Sequence, residues 1–282
     1  MQKIGFIGQG WVGKNYADNF ESRGYEVVRY SIEPEYAGNK EKIKDCDIIF
    51  IAVPTPTTLK GFNCDTLWEV IKLVGKSKIA VIKSTILPGT TESLQKANPD
   101  IYVLHSPEFL SRNTAAYDAT HPIRNIIGIP LEFDEYKKKA ELVMSVLPEA
   151  PFKIICRAKE AELVKYCGNS FYYVKTVYFN LLYDLVNSLG GDWENLRKMV
   201  AADPWIGEMH INPVHRGGRG AGGDCLIKDY AALAALYKNS VKDERGNKIF
   251  DSVKEKNVEL LVKSKKDINF LKGVYGDEVA GN

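Results

Sequence analysis

The sequence predicts an α/β chain: a parallel sheet between helices in the first part, followed by an all-helical part built on one long helix. Three observations predict it. Short apolar runs rich in Val, Ile and Tyr alternate with helical stretches over the first half. Such near-continuous apolar character means burial on both faces, the condition of a parallel strand covered by helices on either side. From Ala158 to Leu189 there is no proline and a single glycine, Gly168, while apolar residues recur at steps of three, four or seven. That is the period of an α-helix, and the change of pattern sets the domains at 1–156 and 157–282.

The strands are expected at Lys3–Ile7, Glu26–Tyr30, Ile48–Val53, Ile79–Lys83, Tyr102–Leu104 and Asn125–Ile129, each ending near Gly, Pro, Ser or Thr. The long helix stops at Gly190-Gly191, since glycine adopts the left-handed conformation that ends helices. Shorter helices are expected at Trp193–Ala202, Leu226–Tyr237 and Phe250–Lys263, with the glycine-rich stretch Arg216–Gly223 between the first and second of them.

Composition excludes several classes. Of 282 residues, 45% are hydrophobic and 26% charged, and the net charge is +2. This is the profile of a globular chain with no general basic field for nucleic acid. The apolar runs fall far short of the roughly 20 residues a membrane span needs. Five scattered cysteines without CxxC spacing fit a reducing compartment, so the chain is expected to be cytoplasmic. The histidines, His105, His121, His210 and His215, support no metal site.

Gly8-Gln9-Gly10-Trp11-Val12-Gly13 follows the first strand and opens a helix. In that context the spacing marks a dinucleotide-binding Rossmann turn. Gly8 permits the tight turn, Gly10 lets a pyrophosphate approach the backbone, and Gly13 lets helix pack on strand. The pyrophosphate is expected on the helix N-terminus, where backbone N–H groups lack intrahelical partners. The ribose-binding position at the end of the second strand is Ser31, with Glu33 two residues on and Arg29 able to meet a 2′-phosphate. These residues leave the choice between NAD and NADP open; NAD is the cofactor expected, with NADP as the alternative.

Cys225 follows Gly220-Ala221-Gly222-Gly223 near the start of a predicted helix. A thiol at a helix N-terminus is stabilised as the reactive thiolate. Lys165 and Asn169 lie four residues apart on the long helix, hence on one face, as a charge and an amide donor able to hold an oxyanion. Glu108, in Ser106-Pro107-Glu108-Phe109-Leu110, and Thr85, in Lys83-Ser84-Thr85, stand at the C-terminal ends of strands, where ligands bind parallel sheets.

Together these segments resemble the UDP-glucose/GDP-mannose dehydrogenases, which convert the CH₂OH of a nucleotide sugar to a carboxylate. The matches also include Val53-Pro54-Thr55-Pro56, Pro88-Gly89-Thr90, Ala161-Glu162-Leu163, Asp203-Pro204 with Ile206-Gly207, and Lys228-Asp229. The resemblance implies two hydride transfers, with Cys225 capturing the aldehyde and carrying a thioester. It implies that Lys165 and Asn169 hold the oxyanion, Glu108 is the base for thioester hydrolysis, and Asp229 and Thr85 position water. Val53, Pro54, Thr55, Ser84 and Thr85 would border the cofactor. Glu108, Phe109, Leu110, Arg112, Lys165, Asn169, Arg219 and Gly222 would bind substrate, UDP-glucose first among the candidates. Family members pair through the long helix, so a homodimer through residues 158–189 is expected, with Arg219 reaching a neighbouring site. Two departures stand out: Arg112 replaces a usual glutamate, and the tail Ile268–Asn282 is too short for the family's second nucleotide-binding domain. A β-hydroxyacid dehydrogenase also pairs a Rossmann domain with helices and a Lys/Asn couple, but has no use for Cys225. A non-catalytic dinucleotide-binding remnant is the third reading.

Overall fold

Interstrand contacts in this computed structural model, which describes residues 2–59 and 61–280, join the expected apolar runs into one sheet. The chain divides into two compact units. The first comprises residues up to 56 and 63–165, the second residues 57–62 and those from 166 on. The first unit contains strands and helices β1 (Ile4–Ile7), α1 (Trp11–Ser22), β2 (Val27–Tyr30), α2 (Pro34–Ala37) and β3 (Ile48–Ile51). After the excursion of β4 (Thr57–Thr58) and β5 (Gly61–Phe62) into the second unit, it continues with α3 (Asp65–Val70), β6 (Ile79–Ile82), α4 (Thr90–Ala97) and β7 (Tyr102–His105). It closes with α5 (Ala115–Thr120), β8 (Arg124–Ile129), α6 (Asp134–Val146) and β9 (Phe152–Arg157).

The sheet order is β2-β1-β3-β6-β7-β8-β9. The first five strands are parallel, as the sequence predicts. Strand β8 runs antiparallel to β7 and parallel to β9. Two-sided burial reads depth in the sheet and not direction, so the apolar run Asn125–Ile129 carries no sign of this reversal. Strand β9 escapes the sequence reading because it is an edge strand, with Phe152 and Ile154 exposed. Phe6, Phe20 and Phe50 form the centre of the core, with Phe6 stacked on Phe50 at 5.1 Å.

Helix α7 (Ala158–Ser188) gives its first turns to the first unit and the remainder to the second. The division therefore falls inside the helix, whereas the change of sequence pattern marks its start. The second unit continues with α8 (Trp193–Ala201), β10 (Val214–His215), β11 (Gly218–Arg219), α9 (Asp224–Ser240), α10 (Glu244–Lys263) and α11 (Ile268–Tyr275). Its core sits where Tyr173 of α7 stacks on Tyr230 of α9 at 4.0 Å. The unit is not purely helical: β4 pairs with β5, and β10 with β11. The turn between β10 and β11 is Arg216-Gly217, both at positive φ, the conformation a two-residue hairpin of matching twist requires. The turn and the second strand of this hairpin lie inside the glycine-rich stretch Arg216–Gly223 expected between the helices.

Candidate active site

The glycine loop has the features a dinucleotide needs. Gly8 has φ +90°, and a Cβ there would lie 2.2 Å from the Ala52 carbonyl oxygen; a Cβ on Gly13 would lie 1.8 Å from that of Gly8. Both positions tolerate only glycine. At Gly10 a Cβ would meet nothing within 4 Å among the described residues, so this face of the loop is open. Gly10 is the N-cap of α1, and no side chain bonds the helix start from that position. Open backbone and uncapped N–H groups fit a bound pyrophosphate. Trp11 is exposed beside the loop, while Val12 packs against the core.

At the end of the second strand the side chains pair with one another and with α1. The Ser31 hydroxyl donates to the Glu33 carboxylate at 3.0 Å, and the Glu33 N–H donates back to Ser31 Oγ at 3.3 Å. Arg29 donates to Asp18 and Glu21, both at 2.6 Å through Nη2. The arginine that could have met a 2′-phosphate is thus already paired with two carboxylates.

Ser84 accepts from the Val53 N–H at 2.9 Å and donates to the Val53 carbonyl at 2.7 Å. Thr55 donates to the Thr85 carbonyl at 2.6 Å. The expected cofactor residues Val53, Thr55, Ser84 and Thr85 are thereby tied into one rim across the ends of β3 and β6, with Pro54 exposed on it.

Glu108 and Lys165 meet in the same unit. Lys165 Nζ donates to the Glu108 carboxylate at 2.7 Å and to its backbone carbonyl at 2.9 Å. The other carboxylate oxygen accepts the Leu110 N–H at 2.8 Å. Phe109 lies beneath Arg124 at 3.6 Å and Lys165 at 5.8 Å. Arg124 opens a strand, where sequence reading looked only for apolar residues. Arg112 is exposed.

Lys83 is a buried cation that sequence reading left without a role. It donates to the Ser106 hydroxyl at 3.1 Å and lies 4.3 Å over the Tyr16 ring. Burial pushes its pKa down to about 8, opposed by the charge of Glu108. Neighbouring His105 is pushed down to about 3 by burial first and by the Lys83 charge second.

In the second unit, Asp229 is buried and both of its carboxylate oxygens are engaged. Asn169 Nδ2 donates to one at 2.5 Å and Lys228 Nζ to the other at 2.7 Å. Helix α9 begins one residue before the cysteine, so Cys225 is exposed in its first turn, and Lys228 follows one turn later. Burial acts to lower the pKa of Lys228; Asp229, with Cys225 and Asp224, outweighs it and raises it. Lys228 was visible beside Asp229 in the sequence, but only the fold shows its ammonium on that carboxylate. At Gly222 a Cβ would lie 2.1 Å from a carboxylate oxygen of Asp267, so a side chain there would displace that carboxylate.

Arg219 is bonded to α7. Its guanidinium donates to the Asn180 side chain at 2.9 Å, the Asn180 carbonyl at 3.0 Å and Asp184 at 2.7 Å, and lies over Tyr183. It is consumed within its own unit, because the hairpin turns it onto α7. Among the described residues no group of three His, Cys, Asp or Glu gathers as a metal site, and no helix is long and apolar enough to cross a membrane.

A dinucleotide-binding α/β unit joined to a helical unit with a thiol at a helix start defines the class of this protein. Its family follows from comparison with known proteins. The chain belongs to the UDP-glucose/GDP-mannose dehydrogenase family: the NAD binding domain of that family matches residues 35–144 and its central domain residues 159–259. It is 30% identical over 252 residues to a UDP-glucose 6-dehydrogenase of Rickettsia bellii, an alignment covering 86% of this chain and 55% of the relative. The chain thus spans about half the length of the curated relatives it matches. The structure of a UDP-glucose dehydrogenase from the hyperthermophilic archaeon Pyrobaculum islandicum superimposes with TM-score 0.79 at 26% identity, over 93% of this chain and 70% of that one. A 3-hydroxyisobutyrate dehydrogenase of Mycobacterium tuberculosis shares the fold, with TM-score 0.71 at 15% identity over 98% of each chain.

Proposed function

We propose that this chain oxidises the C6 alcohol of a nucleotide sugar, UDP-glucose first among the candidates, to the carboxylate in two steps. Bound NAD supplies one chemistry, the acceptance of a hydride, used twice. The chain's own residues do the rest. The Cys225 thiolate adds to the carbon of the intermediate aldehyde, forming a C–S bond and a thiohemiacetal. Loss of the second hydride and of the hydroxyl proton leaves a thioester. Water adds to the thioester carbonyl, the C–S bond breaks, and the carboxylate and the thiol are released.

Lys165 has three N–H donors and gives two to Glu108, which keeps a third for the oxyanion. Asn169 shares that task through its amide. Glu108 takes the proton of the hydrolytic water, and Asp229 and Thr85 orient that water. The observation that carries the reading is Asp229: a buried carboxylate held by Asn169 and Lys228, on the helix whose first turn exposes Cys225. The helix N-terminus favours the thiolate at that position. Glu33 held at the end of β2, with Arg29 already paired, supports NAD over NADP.

Incubation with UDP-glucose and NAD tests the reading. Two NADH per sugar are expected, with a higher kcat/KM for NAD than for NADP. Cys225→Ser is expected to stop uronate formation while NAD still binds. One NADH per molecule of a hydroxy acid, with none from nucleotide sugars, would replace this reading by single-hydride chemistry.

A further inference from the structure

The backbone of residues 219–223, which leads into the Cys225 helix, is held almost entirely by side chains from one later segment. The Ala221 N–H donates to Asn257 Oδ1 at 2.6 Å, and Asn257 Nδ2 donates to the Ala221 carbonyl at 3.0 Å. Asn257 is fully buried, and its amide bridges the two peptide groups that flank residue 221. The Arg219 N–H donates to Ser264 Oγ at 3.0 Å, and Lys266 Nζ donates to the Gly220 carbonyl at 2.9 Å. The Gly223 N–H donates to Asp267 Oδ2 at 2.8 Å.

The corner that supplies these groups is itself strained. Lys265 and Asp267 both have φ +55°, a left-handed conformation that is unfavourable for lysine and better tolerated by aspartate. Asp267 is also the N-cap of α11, a position where aspartate ordinarily accepts from the N–H groups of its own helix. Here it makes no such bond among the described residues; its carboxylate goes to Gly223, the N-cap of α9. A helix cap is given up on one helix to fix the start of another.

We propose that Asn257 and the α10–α11 corner form a clamp that sets the position of Cys225, with Asp267, which accepts the Gly223 N–H, as the positioning residue. Gly223 is the last residue before α9, so the carboxylate that holds its N–H fixes where the first turn begins and where Sγ of Cys225 points. The carboxylate fills the space a side chain at Gly222 would take. The functional meaning of the clamp rests on Cys225 being the nucleophile proposed above; its existence does not.

The test reads thiol chemistry and needs no catalysis. Cys225 and Cys167 are both exposed in the second unit, so the ratio of their alkylation rates by iodoacetamide has a built-in reference. Asp267→Ala is expected to change that ratio by about threefold or more, since reactivity follows the placement of the thiol. Asp267→Asn, which keeps an acceptor for the Gly223 N–H, is expected to restore it. A ratio in Asp267→Ala equal to that of the native protein would overturn the proposal. Amide exchange on the unmodified protein serves where the alanine variant does not fold. Slow exchange at both Ala221 and Gly223 is expected; exchange at the rate of an open loop at both would overturn the clamp. Loss of activity in Cys225→Ser with native-like Asp267→Ala labelling would leave the proposed reaction standing without the clamp.

Discussion

Two basic residues, Lys83 and Arg219, show how differently a cation can be used once it is folded in. Lys83 is buried where an ammonium is costly, and its pKa of about 8 lies below the ordinary 10.5. Between those two values the unfolded chain binds more protons than the folded one, so this group's contribution to stability rises with pH across that window. Below pH 8 the penalty is present in full, roughly 3 kcal/mol for a shift of this size. Lys83→Met is therefore expected to raise the unfolding temperature at pH 7, by an increment that shrinks toward pH 10. Thermal melts of both proteins across that range decide the point, and an increment independent of pH would show that the charge is not the cause. Arg219 gives the opposite lesson. Its bonds to Asn180 and Asp184 make it part of the hairpin's attachment to α7. Arg219→Ala is expected to lower stability by roughly 1–2 kcal/mol, reduced by the partial exposure of the pair. The dissociation constant for UDP-glucose is expected to stay unchanged, and a tenfold weaker one would return the arginine to the substrate site. The sequence shows that Cys225, Asp229 and Arg219 are near one another along the chain. It cannot show which way a side chain turns, since that depends on partners 39 or 60 residues away.

At the scale of elements, two segments noted in the sequence as separate turn out to be one structural device. Glu162, on the second turn of α7, is buried and accepts from the Gly89 N–H at 2.6 Å and from both the N–H and hydroxyl of Thr91, at 2.7 and 2.6 Å. Helix α4 begins at Thr90 with Gly89 as its N-cap, so its start is capped by a carboxylate from another helix. Glu162→Ala leaves these donors without their acceptor, and a loss of roughly 2–4 kcal/mol is expected. Glu162→Gln keeps one carbonyl oxygen and should lose less; equal losses in the two variants, measured by denaturant unfolding, would argue against a capping role. The elements most legible in the sequence were those whose pattern is set locally. The central strands are apolar on both faces, α7 has unbroken helical period, and the first glycine loop follows its strand directly. What stayed hidden was set by partners distant in sequence. Strand β9 carries two charged residues, Lys153 and Arg157, among its six because it lies at the sheet edge. The reversal of β8 leaves no trace in composition. The cap on α4 and the clamp on residues 219–223 both rest on side chains more than 30 residues away.

At the scale of the whole molecule, the open question is what covers the outer face of α7. Its 31 residues span roughly 46 Å at 1.5 Å per residue. Tyr173 and Val177 turn inward and are buried, and Leu182 packs with Phe179 and Trp193. Phe171, Tyr178, Leu181 and Leu185 remain exposed, Phe171 at 61% and Tyr178 at 54%. They recur at steps of seven, three and four, so they form one stripe along the helix rather than scattered single residues. A continuous apolar stripe of this length on a chain with abundant charge elsewhere is the mark of an association surface. A second copy is the partner this stripe suits, since a helix paired with its own symmetry mate presents the same residues from both sides. The chain is accordingly expected to form a homodimer through α7. Light scattering over a range of concentrations should give twice the mass of one chain, and Tyr178→Glu with Leu181→Glu should reduce it to the single-chain value while leaving the helical circular dichroism in place. A native mass that stays at one chain in concentrated samples would mean that this stripe is not where copies of the protein meet.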